Sequence, residues 1–93
     1  MNMLPQKVLV MIPAYNEENT VGEVVKSTLA LHNGYRVVVI DDCSEDETAR
    51  KAKEAGADVV SLPFHCGGSI VMQTGYLIAE RQGYDYMVKI DAD

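Results

Sequence analysis

Short apolar runs alternate with helix-like segments along the chain. The runs "KVLVMI" (7–12) and "YRVVVI" (35–40) are rich in β-branched residues and have almost no polar interruption, which is typical of strands buried on both faces of a parallel sheet. Between these runs, mostly apolar residues recur at the spacing of a helix face, namely Val21, Val24, Val25, Thr28, Leu29 and Leu31. This spacing predicts a helix, and the glycine that follows it, Gly34, predicts where the helix stops. The first forty residues therefore predict one βαβ unit.

The second half of the chain continues this order. Ser44 and Glu47 match the S-x-x-E capping box, which predicts a helix running to a stop at Gly56. "ADVVSL" (57–62) predicts a third strand, a third helix is expected to begin within 67–69, and "YDYMVKI" (84–90) predicts a fourth strand. We expect the buried side of the third helix to consist of Ile70, Met72, Tyr76, Leu77 and Ala79.

Strands that alternate with helices of this length predict an α/β fold. We expect a Rossmann-like, three-layer αβα arrangement with a mostly parallel sheet of about four strands and three helices, joined by right-handed crossovers. A chain of 93 residues without an internal linker is at most one domain. The carboxyl ends of parallel strands then collect at one edge of the sheet, where ligands of such folds bind.

Composition and charge exclude several classes of protein. Eight basic and fourteen acidic residues give a formal charge of −6, which repels polyanions, so nucleic acid is not an expected partner. No apolar run approaches the roughly 20 residues that cross a bilayer, and no signal-peptide pattern is present, so we expect a cytoplasmic protein. Cys43 and Cys66 do not form a C-x-x-C motif, and their spacing is not that of metal ligands. Cys43 and His32 are interpreted as an ordinary thiol and an ordinary helix-end imidazole.

Polar segments follow every predicted strand. These segments are "PAYNEE", "DDCSED", "PFHCGGS" and "DAD", and three of the four contain acids. Glu17 and Glu18 could simply complement the positive end of the first helix, and the acids at 41, 42 and 46 could do the same for the second. Taken together, however, the four segments are too polar to be packing surfaces.

The last segment gives the sharpest prediction. Asp91 and Asp93 lie two residues apart after a strand, so both carboxylates are expected to face the same point. Like charges this close favour a bound cation, and hard divalent ions such as Mg²⁺ or Mn²⁺ prefer oxygen ligands. We therefore predict a metal that bridges these carboxylates to a phosphorylated substrate, with the metal and the first two loops forming one pocket.

Three motifs, "VLVMIPAYNEE", "VVVIDDCSEDET" and "GYDYMVKIDAD", together resemble the nucleotide-sugar-binding half of glycosyltransferase family 2. Within it they are similar to the dolichyl-phosphate mannosyltransferase-like branch. The resemblance covers nearly the whole chain and keeps the family's order of motifs. It implies a GT-A fold, a UDP- or GDP-linked sugar donor, a divalent metal, and a lipid-phosphate or glycan acceptor. The reaction would then take place in the cytoplasm or at the cytoplasmic face of a membrane.

The resemblance also implies roles for individual residues. Pro13, Tyr15 and Glu17 would line the nucleoside pocket, with Tyr15 beside the base and Glu17 reaching the ribose or the base edge. Ile40 and Asp42 would close the other side of the base, with Asp42 accepting a hydrogen bond from a ring nitrogen. Asp91 and Asp93 would bind the metal, and Ala92 would contact the donor through its backbone. Asp41 is expected to be a structural partner of its loop.

The chain departs from the family pattern in its third loop and at its end. Many relatives have a lysine or arginine after the glycine of this loop, where the present chain has Gly67, Gly68 and Ser69. These glycines could contact a phosphate or simply begin a helix, and His65 is a weaker candidate. The catalytic base of the family lies after the D-x-D, so no residue of this chain is assigned that role. We expect residues 1–93 to be a single partial domain, whose fourth strand would have an unpaired edge prone to self-association.

Two other interpretations stay open at this point. A nucleotidyltransferase-like domain also places acids and a metal at strand ends, but it should have a glycine-rich, basic loop after the first strand, and "PAYNEE" is neither. A non-catalytic fold fragment that binds nothing is the other alternative.

Overall fold

The computed structural model describes residues 6–31 and 34–93 of the chain. It contains strands β1 (Val8–Ala14), β2 (Arg36–Asp41), β3 (Asp58–Ser61) and β4 (Tyr86–Lys89), and helices α1 (Val21–Leu31), α2 (Thr48–Glu54) and α3 (Gly68–Arg81). The predicted order of strands and helices is confirmed. The interpretation of His32 concerns a residue outside the described ranges. None of the helices described here has the length and apolar character needed to span a bilayer.

The four strands form one parallel sheet in the order β3-β2-β1-β4. Met11 in β1 lies opposite Val38 in β2 and Lys89 in β4, which shows that β1 is paired on both sides. The chain steps outward in one direction from β1 to β3 and then returns to the other side of β1. The carboxyl ends of all four strands consequently point to the same edge, as the sequence predicts.

Helices cover both faces of the sheet, so the expected α/β, three-layer architecture is confirmed. On one face α1 and α2 pack through Val21, Val25 and Ala52 onto alternate residues of β1 and β2. On the other face α3 packs through Val71 onto the remaining alternate residues, among them Leu9 and Met11. This alternation explains why β1 and β2 read as continuous apolar runs, because both of their faces are buried.

The expected buried side of α3 is partly wrong. Ile70, Tyr76 and Leu77 are exposed, and the fully buried positions are Val71 and Gly75. Met72 and Ala79 are partly buried, as expected, and Ile78 joins them. The buried stripe therefore follows 71, 75, 78 and 79, which is the four-and-three spacing of a helix face. The prediction assumed that large side chains face the sheet. In the structure Gly75 faces it, and because glycine has no side chain, α3 can approach the sheet closely.

The capping box predicted for α2 is also wrong. Glu47 occupies the N-cap position itself and makes no side-chain capping bond. Its side chain pairs with Arg50, and the Ser44 hydroxyl instead accepts a hydrogen bond from the Asn16 amide at 2.9 Å. The Ser44 side chain thus binds the loop after β1 and not the start of α2, where the local motif places it.

β4 lies at the edge of the described sheet and pairs with β1 alone. Tyr86 and Val88 are exposed there, in agreement with the uncovered strand expected from the sequence. Self-association through this edge stays a prediction.

The close approach of α3 to the sheet generates a stability prediction. A Cβ atom at Gly75 would lie 2.6 Å from Met11 Sδ and 3.3 Å from Met87 Sδ, whereas one at Gly22 in α1 would meet nothing nearer than 3.9 Å. Overpacking outweighs the gain in helix propensity only at the first site, so Gly75→Ala should lower the free energy of unfolding by about 1 kcal/mol. The matched change Gly22→Ala should raise it by about 0.5 to 1 kcal/mol. Urea denaturation measures both, and a Gly75→Ala chain as stable as Gly22→Ala would contradict the packing described.

Candidate functional site

The loops after β1 and β2 are tied together by hydrogen bonds between side chains and backbone. The Asn16 amide donates to Ser44, and the Asn16 side-chain oxygen accepts from the Glu45 amide at 2.9 Å. Asn16 can make both bonds because it adopts a left-handed conformation with φ of 52°, which asparagine tolerates better than most residues. The Glu47 amide donates to the Glu18 carboxylate at 3.0 Å. The two loops therefore form one rigid unit at the carboxyl edge of the sheet.

Thr48 and Asp46 extend this unit. The Glu17 amide donates to the Thr48 hydroxyl at 2.8 Å, and that hydroxyl in turn donates to the Asp46 carboxylate. The Glu18 amide donates to the other Asp46 oxygen at 3.2 Å. Burial opposes ionisation of Asp46, but the bonds from Thr48 and from the Glu18 amide outweigh it, so the pKa of Asp46 lies below its usual range.

Asp42 connects the same unit to the loop after β3. Its carboxylate, only 6% exposed, accepts hydrogen bonds from the Cys66 amide at 2.8 Å and the Gly67 amide at 2.9 Å. His65 Nδ1 lies 2.9 Å from Asp42 Oδ2, and the Asp42 amide donates to the Ala14 carbonyl at 2.9 Å. One buried acid thus holds three consecutive residues of the third loop against the ends of β1 and β2.

Asp41 has the structural role expected of it. Its carboxylate is buried and accepts hydrogen bonds from the Ser44 amide at 3.1 Å and the Ser61 hydroxyl at 3.2 Å. The two neighbouring acids therefore have different structural roles. Asp41 stabilises its own loop and its contact with β3, whereas Asp42 binds the residues just before α3.

A cavity of about 400 Å³ opens where the three loops meet. Four of the residues predicted to contact a nucleoside line it, namely Pro13, Tyr15, Glu17 and Asp42, together with Ala14, His65, Gly67, Gly68 and Val71. Ile40, the fifth, is fully buried in the core on the α3 side and does not line the cavity. The structure therefore brings together four of the five predicted residues, and their role in binding stays a prediction.

Aromatic rings form one wall of this cavity. The Tyr15 and His65 rings lie with their centroids 4.0 Å apart and their planes tilted by 34°. Both rings stay partly exposed, so a planar ligand group can pack against either of them.

Asp91 and Asp93 lie at a different cavity, of about 380 Å³, between α1 and the segment after β4. Both line it, as expected for carboxylates two residues apart, and Glu23, Thr28 and Ile90 line it too. Lys89 pairs with Asp91 at 3.2 Å, while Ala92 is buried against the α1 side of the core. β4 ends at Lys89, before the two acids, and neither of them lines the cavity of Pro13, Tyr15 and Glu17. One pocket shared by the metal acids and the nucleoside residues stays a prediction.

The chemistry of Asp91 and Asp93 fits a hard divalent cation, because carboxylate oxygens suit Mg²⁺ and Mn²⁺. Within residues 6–31 and 34–93, no three acidic, histidine or cysteine side chains lie close enough together to hold a metal ion. The described residues thus offer at most a pair of carboxylates to a metal at this place.

Sequence reasoning gave His65 and the glycines beside it too little weight. His65 completes the aromatic wall, and Gly67 and Gly68 line the floor of the cavity where α3 begins. Gly67 has φ of 87°, a conformation that suits glycine. The available signal was the position of "HCGG" directly after a parallel strand, which places it at the same edge as the other loops.

Fold and site together define an α/β protein of the GT-A type with a ligand cavity at the carboxyl edge of its sheet. Residues 9–93 match the family described as "Glycosyl transferase family 2". The chain therefore belongs to glycosyl transferase family 2.

Individual relatives agree with this assignment. An undecaprenyl-phosphate 4-deoxy-4-formamido-L-arabinose transferase from Pseudomonas fluorescens is 33% identical over 97 residues, which cover 92% of this chain and 27% of the relative. A 4,4'-diaponeurosporenoate glycosyltransferase from Staphylococcus haemolyticus is 32% identical over 91 residues, covering 95% of this chain and 24% of the relative. The chain thus spans about a quarter of the length of these curated relatives.

A solved structure shares the fold. The crystal structure of glucosyl-3-phosphoglycerate synthase from Mycobacterium tuberculosis, in complex with Mn²⁺, UDP-glucose and phosphoglyceric acid, superposes with a TM-score of 0.77 and 28% identity. The match covers 95% of this chain and 33% of that one. The same enzyme has also been crystallised with Mg²⁺ and UDP.

The hydrogen bonds to the Asp42 carboxylate lead to a second stability prediction. Asp42→Ala removes the acceptor of two amides and an imidazole, so the free energy of unfolding should fall by about 2 to 3 kcal/mol. Asp91→Ala, at an exposed acid, should change it by less than about 0.5 kcal/mol. Urea denaturation compares the two, and equal losses would show that Asp42 does not hold the third loop.

The lowered pKa of Asp46 gives a prediction for the pH dependence of stability. A depressed folded-state pKa adds stability above the unfolded value of 3.8, and that stability is lost as the pH falls through the folded value. Wild type should exceed Asp46→Asn in free energy of unfolding at pH 6, with the difference shrinking as the pH drops below about 4. Denaturation series at several pH values measure this, and a pH-independent difference would contradict it.

Proposed function

We propose that this chain is the donor-binding portion of a metal-dependent glycosyltransferase that uses a nucleoside-diphosphate sugar. The supporting observation is the meeting of Pro13, Tyr15, Glu17 and Asp42 around one cavity in a chain of glycosyl transferase family 2. Pro13 lies near the end of β1, and Tyr15, Glu17 and Asp42 come from the loops after β1 and β2, which only the fold brings together.

The cavity suits a nucleotide in both shape and chemistry. Tyr15 and His65 offer ring surface for a base, and Glu17 offers a carboxylate for ribose hydroxyls. Gly68, the first residue of α3, lines the cavity, and the positive end of a helix dipole favours an anionic group there. That helix start offsets part of the acidic field of the surrounding loops.

For the cofactor we propose Mg²⁺ or Mn²⁺ held by Asp91 and Asp93. Support comes from the oxygen chemistry of the pair and from the divalent metals in the mycobacterial enzyme crystallised with UDP or UDP-glucose. When bound, such an ion neutralises the diphosphate and stabilises the charge of the leaving group. The residues of this chain would bind and orient the donor; we assign none of them as the general base.

For the acceptor we propose a lipid phosphate or a glycan, in glycolipid or polysaccharide synthesis. One relative is named for undecaprenyl phosphate, but another is named for 4,4'-diaponeurosporenoate and the matched enzyme structure holds phosphoglyceric acid. The relatives thus differ in acceptor, and membership of the dolichyl-phosphate mannosyltransferase-like branch stays a prediction. A lipid acceptor would place the reaction at the cytoplasmic face of a membrane.

Nucleotide titration tests this proposal. Calorimetry with UDP and GDP, each with and without Mn²⁺, should show saturable binding that Mn²⁺ strengthens by about tenfold or more, equivalent to 1.4 kcal/mol. Asp91→Ala and Asp93→Ala should each abolish the strengthening but keep the metal-free binding, since the nucleoside cavity does not include them. Thermal shift with UDP-, GDP- and dTDP-sugars gives an independent readout, because a ligand of the native state raises the midpoint.

Glu80→Ala is the matched control, because it removes one exposed acid on α3 that lines neither cavity. It should respond to Mn²⁺ as wild type does. Binding that ignores both the metal and the loss of Asp91 would overturn the metal assignment. A folded chain with no response to any nucleotide would instead favour a non-catalytic fold fragment.

A further inference from the structure

The carboxylate of Asp42 is largely occupied by the protein itself. Oδ1 accepts from the Cys66 amide, and Oδ2 accepts from the Gly67 amide and lies beside the His65 ring. A carboxylate has about four acceptor positions, so three of them are filled before any ligand arrives. The side chain is also 6% exposed. Asp42 is therefore better placed to position its neighbours than to contact a ligand.

These contacts fix the tautomer of His65. Nδ1 lies 2.9 Å from Asp42 Oδ2 and 3.3 Å from the Asp42 backbone carbonyl oxygen. The carbonyl oxygen can only accept, and the carboxylate already accepts from two amides, so these hydrogen bonds place a proton on Nδ1 and leave Nε2 of a singly protonated ring as an acceptor. Nε2 has no hydrogen-bond partner in the part of the chain that the structure describes, and the His65 side chain, 55% exposed, lines the cavity.

The ring is also restrained in orientation. Asp42 holds one edge of the imidazole, and the Tyr15 ring packs against it with centroids 4.0 Å apart. The contacts with Asp42 and Tyr15 lie on different sides of the imidazole. Nε2 is then the polar atom of the ring that a molecule in the cavity can reach. An acceptor held in place in this way selects a hydrogen-bond donor on its ligand.

We propose that His65 is a specificity-determining residue that recognises the nucleobase through Nε2, with Asp42 as its positioning residue. This inference rests on the proposed function. Nε2 as an acceptor matches the ring N–H of uracil, thymine or guanine. Cytosine and adenine present a bare ring nitrogen at the equivalent position, which would set two lone pairs against each other. The site should therefore prefer keto bases.

The tautomer can be tested directly. Nitrogen-15 spectra of the imidazole in the free 93-residue chain, recorded where the ring carries a single proton, should show that proton on Nδ1 and none on Nε2. A protonated Nε2 with a bare Nδ1 would overturn the proposal without any ligand being added. Amide spectra of the same sample establish that the chain is folded.

Binding of UDP and CDP tests the specificity, because these two ligands differ only in the base edge. Wild type should bind UDP about tenfold more tightly than CDP, the worth of one hydrogen bond made or left unmade. His65→Asn keeps an amide donor near the position of Nδ1 for Asp42 but has no atom at Nε2, so it should lose the preference and remain folded. His65→Gln, whose side-chain oxygen can reach the Nε2 position, should retain part of the preference.

The outcomes separate this inference from the function on which it depends. Equal binding of UDP and CDP by wild type, or an unchanged preference in His65→Asn, would overturn the role of His65 and leave nucleotide binding intact. Failure of both nucleotides to bind a folded chain would overturn the proposed function, and the inference with it.

Discussion

The buried carboxylate of Asp42 is the interaction on which the candidate site depends. A charged group so far removed from water must be satisfied by donors, and here the donors are consecutive residues of a loop that comes more than twenty positions later in the sequence. The requirement to satisfy one acid therefore sets the path of the chain between β3 and α3. It also sets where α3 begins, and thus which of its residues reach the cavity.

The order of strands and helices could be predicted because it depends on local periodicity. β1 and β2 are apolar on both faces, and this composition is specific to the middle of a covered parallel sheet. The phase of α3 could not be predicted, since it depends on a glycine meeting Met11. Ser44 was misread for a similar reason: its hydroxyl satisfies Asn16, and no local motif reports the competition from a distant loop.

In the candidate site, too, the features set by local sequence and topology could be predicted, and those set by distant contacts could not. Tyr15 and the acids at the ends of β1 and β2 were predicted as neighbours because parallel topology alone brings strand ends together. His65 was undervalued because its position depends on Asp42 and Tyr15, which only the folded chain places beside it. The paired acids at 91 and 93 were found as a pair, but strand alternation was extended past Lys89, where the strand ends.

That ending of β4 has a consequence for the energetics of any ligand that reaches both cavities. The amide of Ile90 donates to the Met11 carbonyl oxygen at 3.0 Å. Among the described contacts, the segment of Asp91 and Asp93 is held further by the packing of Ile90 and Ala92 on the core and by the exposed pair of Lys89 with Asp91. The loops around Asp42, by contrast, are fixed before binding. The loops around Asp42 thus have less conformational freedom left to lose than the segment of Asp91 and Asp93, so a ligand that spans both cavities would lose conformational entropy mainly at that acidic segment.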